Sequence, residues 1–212
     1  DIRIDGERLD AQRLQRLRRE TAWVDPAIQL WNRSLLENLR YSPDALPPEA
    51  WIRIIEMADL NRVLAHLPDG LQSVLGEGGA RLSGGEGQRV RLARALGQQA
   101  PRLVLLDEPF RGLDRGQRVQ HLQQCRAHWR DSTLLCVTHD IEETAGFERV
   151  WVIDGGRVVE DGAPQNLAAD PHSRYRQLLD SEQALTQTLW ASPVWRQWHF
   201  EQGRLIERET VA

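Results

Sequence analysis

The sequence has no lysine, because each of its 27 basic residues is an arginine. The phosphate-binding loop G-x-x-x-x-G-K-[ST] uses a lysine to reach the phosphates of a bound nucleotide. The chain therefore cannot contain such a loop. Cysteine is scarce too, and Cys125 and Cys136 form neither a metal-ligand spacing nor a disulfide framework. Because Cys136 lies in an apolar run, we expect it to be a small buried thiol. Because the cysteines form no disulfide framework, we expect a reducing, cytosolic compartment.

Long apolar runs are also absent. Runs such as Leu103–Leu106 are far shorter than the roughly 20 residues that cross a bilayer, so any work at a membrane requires docking onto another segment. The net charge of -4 and the absence of a basic patch give no reason to expect nucleic acid as a partner. A chain of 212 residues suits one globular domain, or one domain with a smaller lobe.

The hydrophobic pattern changes along the chain. From Ser34 to Leu96 helical spacing dominates, whereas after Pro101 short apolar runs alternate with helices, which is typical of a parallel sheet covered on both faces. The fold class predicted is α/β with a helical lobe inserted before the second part of the core. The pattern predicts strands at 2–6, 22–24, 103–106 and 133–137, helices near 10–20, 51–58 and 119–129, and a hairpin joining 150–153 to 157–160.

A glycine-rich helix start is the most informative motif. Ser83 and Glu86 have the spacing of a capping box, which predicts a helix beginning at Ser83. Gly84 and Gly85 in its first turn cost about 1 kcal/mol each relative to alanine, a cost that makes sense where backbone must approach a ligand. Exposed N–H groups and the helix dipole favour a phosphate there. The alternative is a glycine-rich helix start without a ligand.

Polar residues follow two predicted strands. Asp107 and Glu108 end one strand at the sheet edge where α/β proteins place ligands. Asp107 is a candidate Mg²⁺ ligand and Glu108 a candidate for polarising an attacking water, although a solvated acidic strand end is the alternative. His139 follows the other strand at the same edge. A single histidine is more often structural, so it gains weight only from these neighbours.

Together, the order and spacing of these motifs resemble the nucleotide-binding domain of ABC transporters, a P-loop NTPase fold, over about residues 1–170. The matching segments are the signature motif at 82–86, the Walker B strand at 103–107, the catalytic glutamate Glu108, the end of the D-loop at Gly112-Leu113-Asp114 and the switch histidine His139. Residues 31–39 and the X-loop-like 76–80 resemble exporter-type cassettes, in which Glu77 would face a coupling helix of the membrane domain.

The resemblance implies four regions. They are the remainder of the N-terminal core with the Q-loop (1–32), a helical subdomain ending in the signature helix (33–98), a core region with Walker B, D-loop and H-loop (99–170), and a C-terminal helical, tryptophan-rich extension (171–212). In that extension Tyr175, Leu178, Leu179 and Leu185 suggest an amphipathic helix, and residues 198–200 and 205–207 suggest a small hairpin. The cluster formed by Trp190, Trp195 and Trp198 is either a partner surface or packs on the cassette.

The chain departs from the family pattern in several places. Pro26 occupies the position of the Q-loop glutamine; Asp25 is a neighbouring oxygen donor and Gln29 the nearest glutamine. An altered loop with only a contact role is equally compatible. The D-loop carries Phe110 and Arg111, and Gly87 replaces a larger residue inside the signature helix. The largest departure is the missing Walker A loop, from which we expect a fragment, or a truncated reading frame, of a longer protein that is inactive alone. A paralogue that lacks the loop is the alternative, against which the otherwise intact sites argue.

Carried over, the family mechanism pairs two cassettes head to tail with ATP between them. Ser83, Gly84 and Gly85 would contact the γ-phosphate bound by the partner, with Glu86 and Asp114 also at the nucleotide, while Asp107, Glu108 and His139 would serve the chain's own site. The helical subdomain, the Q-loop region and Glu77 would meet the membrane domain at the cytoplasmic face of the plasma (inner) membrane. The alternatives are a non-catalytic cassette of an asymmetric pair and a soluble ABC-type ATPase, against which the short 96–103 connection argues.

Overall fold

A computed structural model describes residues 2–27, 29–40, 46–191, 197–201 and 204–208. The chain divides into two compact units, 1–139 and 140–212. None of the helices in the described part of the chain combines the length and apolar composition that a bilayer span requires. The predicted division into four regions is a different partition and stays a prediction.

The first unit begins with a small hairpin and continues through alternating helices and parallel strands. Its elements in chain order are β1 (Arg3–Ile4), β2 (Glu7–Arg8), α1 (Ala11–Arg19), β3 (Thr21–Val24), α2 (Leu35–Leu39), α3 (Pro48–Met57), α4 (Leu60–His66), α5 (Gly84–Leu96), β4 (Leu103–Asp107), α6 (Arg115–His128) and β5 (Thr133–Val137). The predicted strand at 2–6 is shorter because Asp5 and Gly6 adopt positive φ and turn the chain back into β2.

The central sheet is parallel, with strand order β3-β4-β5. Its register aligns Val24 with Leu106 and Leu106 with Cys136. The side chains of Ala22, Val24, Val104 and Leu106 are at most 1% exposed. This buried face is covered by α5, which packs against β3, and by α6, whose Cys125 lies near Cys136. The predicted α/β fold is therefore confirmed.

The other face of the sheet is open within the described residues. Trp23 is 52% exposed, Leu135 40% and Val137 53%. The prediction of a sheet covered on both faces is therefore wrong for the described part of the chain. The physical reason is that α5 and α6 both lie against the face formed by Ala22 and Cys136, so neither of them covers Trp23.

Helix α2 is joined to the signature helix α5 through Asn38, which is fully buried. The Asn38 Oδ1 accepts from the backbone N–H of Trp31 at 2.9 Å and from Arg94 Nη2 at 3.0 Å. Its Nδ2 donates to the carbonyls of Trp31, Arg33 and Ser34. Arg94 of α5 also donates to the Asn38 carbonyl at 2.9 Å and stacks over the Trp31 ring at 4.7 Å. One buried amide thus fixes the entry to α2 against α5.

Reactivity of the two thiols tests this packing. Burial, and then the nearby Cys136, raise the pKa of Cys125 to about 12, so its thiolate is scarcely populated at pH 8. We expect the native chain to react with a disulfide reagent at no more than one thiol per chain, and at both thiols after unfolding in guanidinium. The folded Cys136→Ser variant should not react with the reagent, because Cys125 is its only thiol. Reaction of folded Cys136→Ser at the rate of the unfolded chain would contradict the buried position of Cys125.

The described part of the second unit contains a hairpin, two α-helices and a second antiparallel strand pair. Its elements are β6 (Val150–Asp154), β7 (Arg157–Gly162), α7 (Pro164–Ala169), α8 (Arg174–Ala191), β8 (Gln197–Glu201) and β9 (Arg204–Arg208). Both predicted hairpins, β6-β7 and β8-β9, are antiparallel pairs. The helix predicted around Tyr175 is α8, although Leu185 on it is 65% exposed. The predicted tryptophan cluster lies outside the described side chains.

The start of α8 is fixed by a carboxylate on β7. The two oxygens of Glu160 accept from the backbone N–H groups of Arg174 at 2.6 Å and Tyr175 at 2.9 Å, and from the Ser173 hydroxyl at 2.9 Å. These groups at the helix N-terminus have no partner within the helix itself, so Glu160 satisfies them. This side chain holds α8 to the hairpin.

Candidate functional site

Polar side chains follow the carboxyl ends of the three parallel strands. Asp25 comes just after β3, Asp107 ends β4 and Glu108 follows it, and His139 comes two residues after β5. Because the strands are parallel and in register, these residues meet at one edge of the sheet. The sheet edge at which the sequence predicts Asp107, Glu108 and His139 to lie together is therefore present.

Glu108 and His139 are in direct contact. The Glu108 Oε1 lies 2.7 Å from His139 Nδ1 and accepts from the His139 backbone N–H at 3.1 Å. The Glu108 side chain is 29% exposed, whereas the His139 side chain is 80% exposed. A carboxylate held in place, with one side still open to solvent, is arranged to accept a proton or orient a water.

The backbone of Glu108 is in the left-handed region, with φ of 45°. This conformation is unfavourable for a residue with a side chain and persists only where the surroundings hold it. The Glu108 N–H donates to the Val137 carbonyl at 3.0 Å. The carbonyls of Asp107 and Glu108 both accept from Gln88 Nε2 of α5, each at 3.1 Å. Hydrogen bonds from two other elements therefore hold the strained strand end.

Asp107 lies among other charges of the same sign. Burial raises the pKa of Asp107, and the charges of Asp25 and Glu108 raise it further. Asp25 also lies near Arg91 of α5, where burial lowers the pKa of the guanidinium and Asp25 opposes that effect. Asp25, beside the Pro26 that replaces the expected glutamine, is thus close enough to act electrostatically on Asp107.

A divalent cation would relieve this crowding. Among the described residues, no group of three or more His, Cys, Asp and Glu side chains is arranged to enclose a metal ion. Mg²⁺ is commonly bound in proteins through one or two carboxylates together with substrate phosphates and water. The donor set around Asp107 fits such a partial site, with Asp25 as a second oxygen source.

The signature helix α5 begins as the sequence predicts. The Ser83 side chain accepts from the Glu86 N–H at 3.3 Å, and the Glu86 Oε2 accepts from the Ser83 N–H at 2.8 Å. This backbone hydrogen bond holds the pKa of Glu86 below its ordinary value. Glu86 thus has a capping role, and its predicted contact with nucleotide stays a prediction.

The glycines of the first turn have different surroundings. A β-carbon built on Gly84 would have no described atom within 4 Å, so this backbone faces open space. A β-carbon on Gly85 would lie 3.2 Å from the Arg111 carbonyl and 3.8 Å from the Gly112 α-carbon. Gly85 therefore lets the signature helix approach the D-loop of the same chain. Gly87 lies inside α5 and is buried, in agreement with its predicted place in the helix.

Asp114 has a structural role that the sequence analysis missed. Its Oδ1 accepts from the Gln117 N–H at 2.9 Å, so that Asp114 caps the start of α6. The D-x-x-Q spacing was the available signal. Its predicted contact with the partner nucleotide stays a prediction. Glu77, predicted to meet a membrane domain, is exposed.

Gln88 is a residue in contact with the candidate site that sequence reasoning did not find. It is 2% exposed and lies on the buried stripe of α5 with Leu92, Ala95 and Leu96. A polar residue on an apolar helical stripe is the signal that could have identified it, since buried polar groups are placed where they can be hydrogen-bonded.

Comparisons with known proteins agree with this geometry. The family model described as ABC transporter matches residues 1–111. The ATP-dependent lipid A-core flippase of Alkalilimnicola ehrlichii is 34% identical over 179 residues, which are 84% of this chain and 30% of that protein. The mitochondrial iron-sulfur clusters transporter ATM1 of Candida albicans is 34% identical over 187 residues, 87% of this chain and 25% of that protein.

A transporter named for a different substrate gives a similar match. The glutathione/L-cysteine transport system protein CydC of Escherichia coli is 38% identical over 153 residues, 72% of this chain and 26% of that protein. Among solved structures, a bacterial Atm1-family ABC exporter with ATP bound has a TM-score of 0.75 at 27% identity. The match covers 84% of this chain and 31% of that structure.

The chain thus spans a quarter to a third of the length of these relatives. The matched length includes the signature helix, the Walker B strand and the start of the D-loop described above. This chain therefore belongs to the ABC transporter family, as an exporter-type ATP-binding domain.

Proposed function

We propose that the chain supplies half of each of two ATP sites in a head-to-tail pair of cassettes, and that ATP hydrolysis there powers export of a substrate across a membrane. The observation that carries the proposal is the 2.7 Å contact of Glu108 with His139 beside Asp107. A purely structural strand end would not need a strained glutamate whose carboxylate stays partly exposed.

Each group has a distinct role in this proposal. Asp107 would hold Mg²⁺, with Asp25 near it, and the ion would supply positive charge against the phosphates. Glu108 would orient the attacking water and accept its proton. His139 would hold the Glu108 carboxylate and contact the γ-phosphate from its exposed side. The open backbone of Gly84, with Ser83 and Gly85, would meet the nucleotide held by the partner.

The lipid A flippase, ATM1 and CydC are transporters by name, which supports a membrane domain as the second partner. The exposed Glu77 and the helical subdomain (33–98) would form the surface that meets this membrane domain. This docking would place the cassette at the cytoplasmic face of the membrane. The substrates in the names of these relatives differ, so the family likeness leaves the substrate class open.

Phosphate release by the complete gene product tests the proposal. We expect Mg²⁺-dependent hydrolysis of ATP, stimulated when the protein is placed in lipid vesicles. An absence of hydrolysis under both conditions would contradict the proposed function.

A second candidate is a non-catalytic cassette of an asymmetric pair, favoured by Pro26 at the Q-loop glutamine position. In that case, loss of Glu108 would leave the hydrolysis rate of the pair unchanged. The intact Glu108–His139 contact favours the catalytic role.

Nucleotide binding by the 212-residue chain alone is the next prediction. Because the chain has no lysine and no phosphate-binding loop, we expect its Kd for ATP to be about 1 mM or weaker, near –4 kcal/mol. Calorimetry at protein concentrations of 100 μM or more, with circular dichroism to show that the chain is folded, gives the measurement. Micromolar binding by the folded chain would contradict the prediction.

A further inference from the structure

The side-chain amide of Gln88 connects the signature helix with the strand end of the same chain. Its Nε2 donates to the carbonyl of Asp107 at 3.1 Å and to that of Glu108 at 3.1 Å. The three residues come together across 19 and 20 positions of sequence. A single side chain thus holds two consecutive carbonyls on either side of the Glu108 α-carbon.

These hydrogen bonds define the orientation of both peptide planes at Glu108. The plane before its α-carbon is held by Gln88 at the Asp107 carbonyl and by Val137 at the Glu108 N–H. The plane after it ends at Pro109, which has no N–H, so its hydrogen bond with Gln88 is made through the Glu108 carbonyl. Since φ at Glu108 is 45°, this backbone depends on such restraints to keep its conformation.

The other end of the amide shows that Gln88 is not there for packing alone. Its Oε1 is buried and has no hydrogen-bond partner within the described part of the chain. A buried acceptor without a partner is unfavourable, and methionine would fill a similar volume without a polar atom. The two donated hydrogen bonds are therefore the physical reason for glutamine at this position.

We propose that Gln88 is a positioning residue for hydrolysis, which fixes Glu108 against His139 and makes the catalytic carboxylate sensitive to the position of helix α5. This inference rests on the proposed function. Ser83 and Gly84 begin the helix that carries Gln88 one turn later. If the partner's nucleotide shifts the start of α5, Gln88 moves with the helix. The Gln88 amide would then change the position of Glu108 in the same chain.

Hydrogen exchange in the 212-residue chain tests the restraint without ATP. In Gln88→Met we expect the amides of Glu108 and His139 to exchange about 10-fold faster or more, because loss of a local restraint raises local opening. The amide of Leu106, within β4, should change little. The matched control is Gln98→Met, which removes an amide that donates to the Arg19 carbonyl at 2.7 Å, and it should leave both site amides unchanged.

Steady-state kinetics of the protein as its gene encodes it test the consequence. We expect Gln88→Met to lower kcat about 10- to 100-fold, as expected for a misplaced catalytic group, with KM for ATP within about 3-fold because binding of the nucleotide lies with other residues. Gln98→Met should keep the wild-type kcat.

The outcomes separate the two proposals. If the wild-type protein does not hydrolyse ATP, the proposed function fails and the role of Gln88 in hydrolysis fails with it, while hydrogen exchange still decides whether Gln88 restrains the Glu108 backbone. If Gln88→Met shows wild-type exchange at Glu108 and His139, or a wild-type kcat in an active protein, the inference is overturned. Fast exchange confined to the site, with the melting temperature of Gln88→Met close to that of Gln98→Met, supports it.

Discussion

Replacing Glu108 by Gln is expected to lower ATP turnover by about 100-fold or more in the protein as its gene encodes it. The amide retains the size of the carboxylate, and its oxygen can still accept from the His139 N–H, which now lies 3.1 Å from Glu108 Oε1. What the amide cannot do is take a proton from water. The strand end should therefore keep its shape while the chemical step is lost.

Nucleotide-dependent pairing should survive this substitution. We expect the variant to elute as a pair of cassettes in the presence of ATP and Mg²⁺, and to hold ATP longer than the wild type because it is not consumed. Phosphate release and size-exclusion chromatography measure the two effects. Glu49→Gln, on the exposed start of α3, is the control and should hydrolyse ATP at the wild-type rate. Unchanged hydrolysis in Glu108→Gln would remove the role assigned to this carboxylate.

Replacing Asn38 by Leu is expected to lower the free energy of unfolding by about 3 kcal/mol. Leucine has nearly the same volume but leaves the Trp31 N–H and three backbone carbonyls without the partners that Asn38 provides. Arg94 also loses its contact with the Asn38 side chain, although its hydrogen bond with the Asn38 carbonyl can remain. The main penalty is that of burying polar groups without hydrogen bonds.

Urea unfolding followed by circular dichroism gives this free energy. Asn61→Leu makes the same chemical change on the exposed surface of α4 and should alter stability by no more than about 0.5 kcal/mol. If the two variants were equally stable, the Asn38 hydrogen bonds would not be what joins α2 to α5.

Local signals in the sequence predicted local structure well. The capping-box spacing of Ser83 and Glu86 located the start of α5, and the apolar runs located β4 and β5. The meeting of Glu108 and His139 followed from parallel strand ends sharing one edge. In each case the information lies within a few residues or in the rule that relates strand direction to sheet edge.

Features that depend on distant contacts were harder to predict. The hydrogen bonds of Gln88 cross 19 and 20 residues of sequence, and nothing in the local pattern around Gln88 shows which distant carbonyls it meets. The open face at Trp23 was missed because a continuous apolar strand suggests cover on both sides without showing which helices provide it. The positive φ of Glu108 is imposed by its neighbours and has no signal of its own.

The close approach of Gly85 to the D-loop limits which sequences this family member can accept. A β-carbon on Gly85 would lie 3.2 Å from the Arg111 carbonyl, and one on Gly112 would lie 3.6 Å from the Gly85 α-carbon. Gly112 also has φ of 84°, which side chains disfavour. A side chain at Gly85 would therefore require the Arg111 carbonyl to move by a small amount, whereas a side chain at Gly112 would find room but would strain the backbone at that position. The two glycines therefore restrict the sequence for different reasons: substitution at Gly85 is opposed by the neighbouring D-loop backbone, and substitution at Gly112 by its own positive φ.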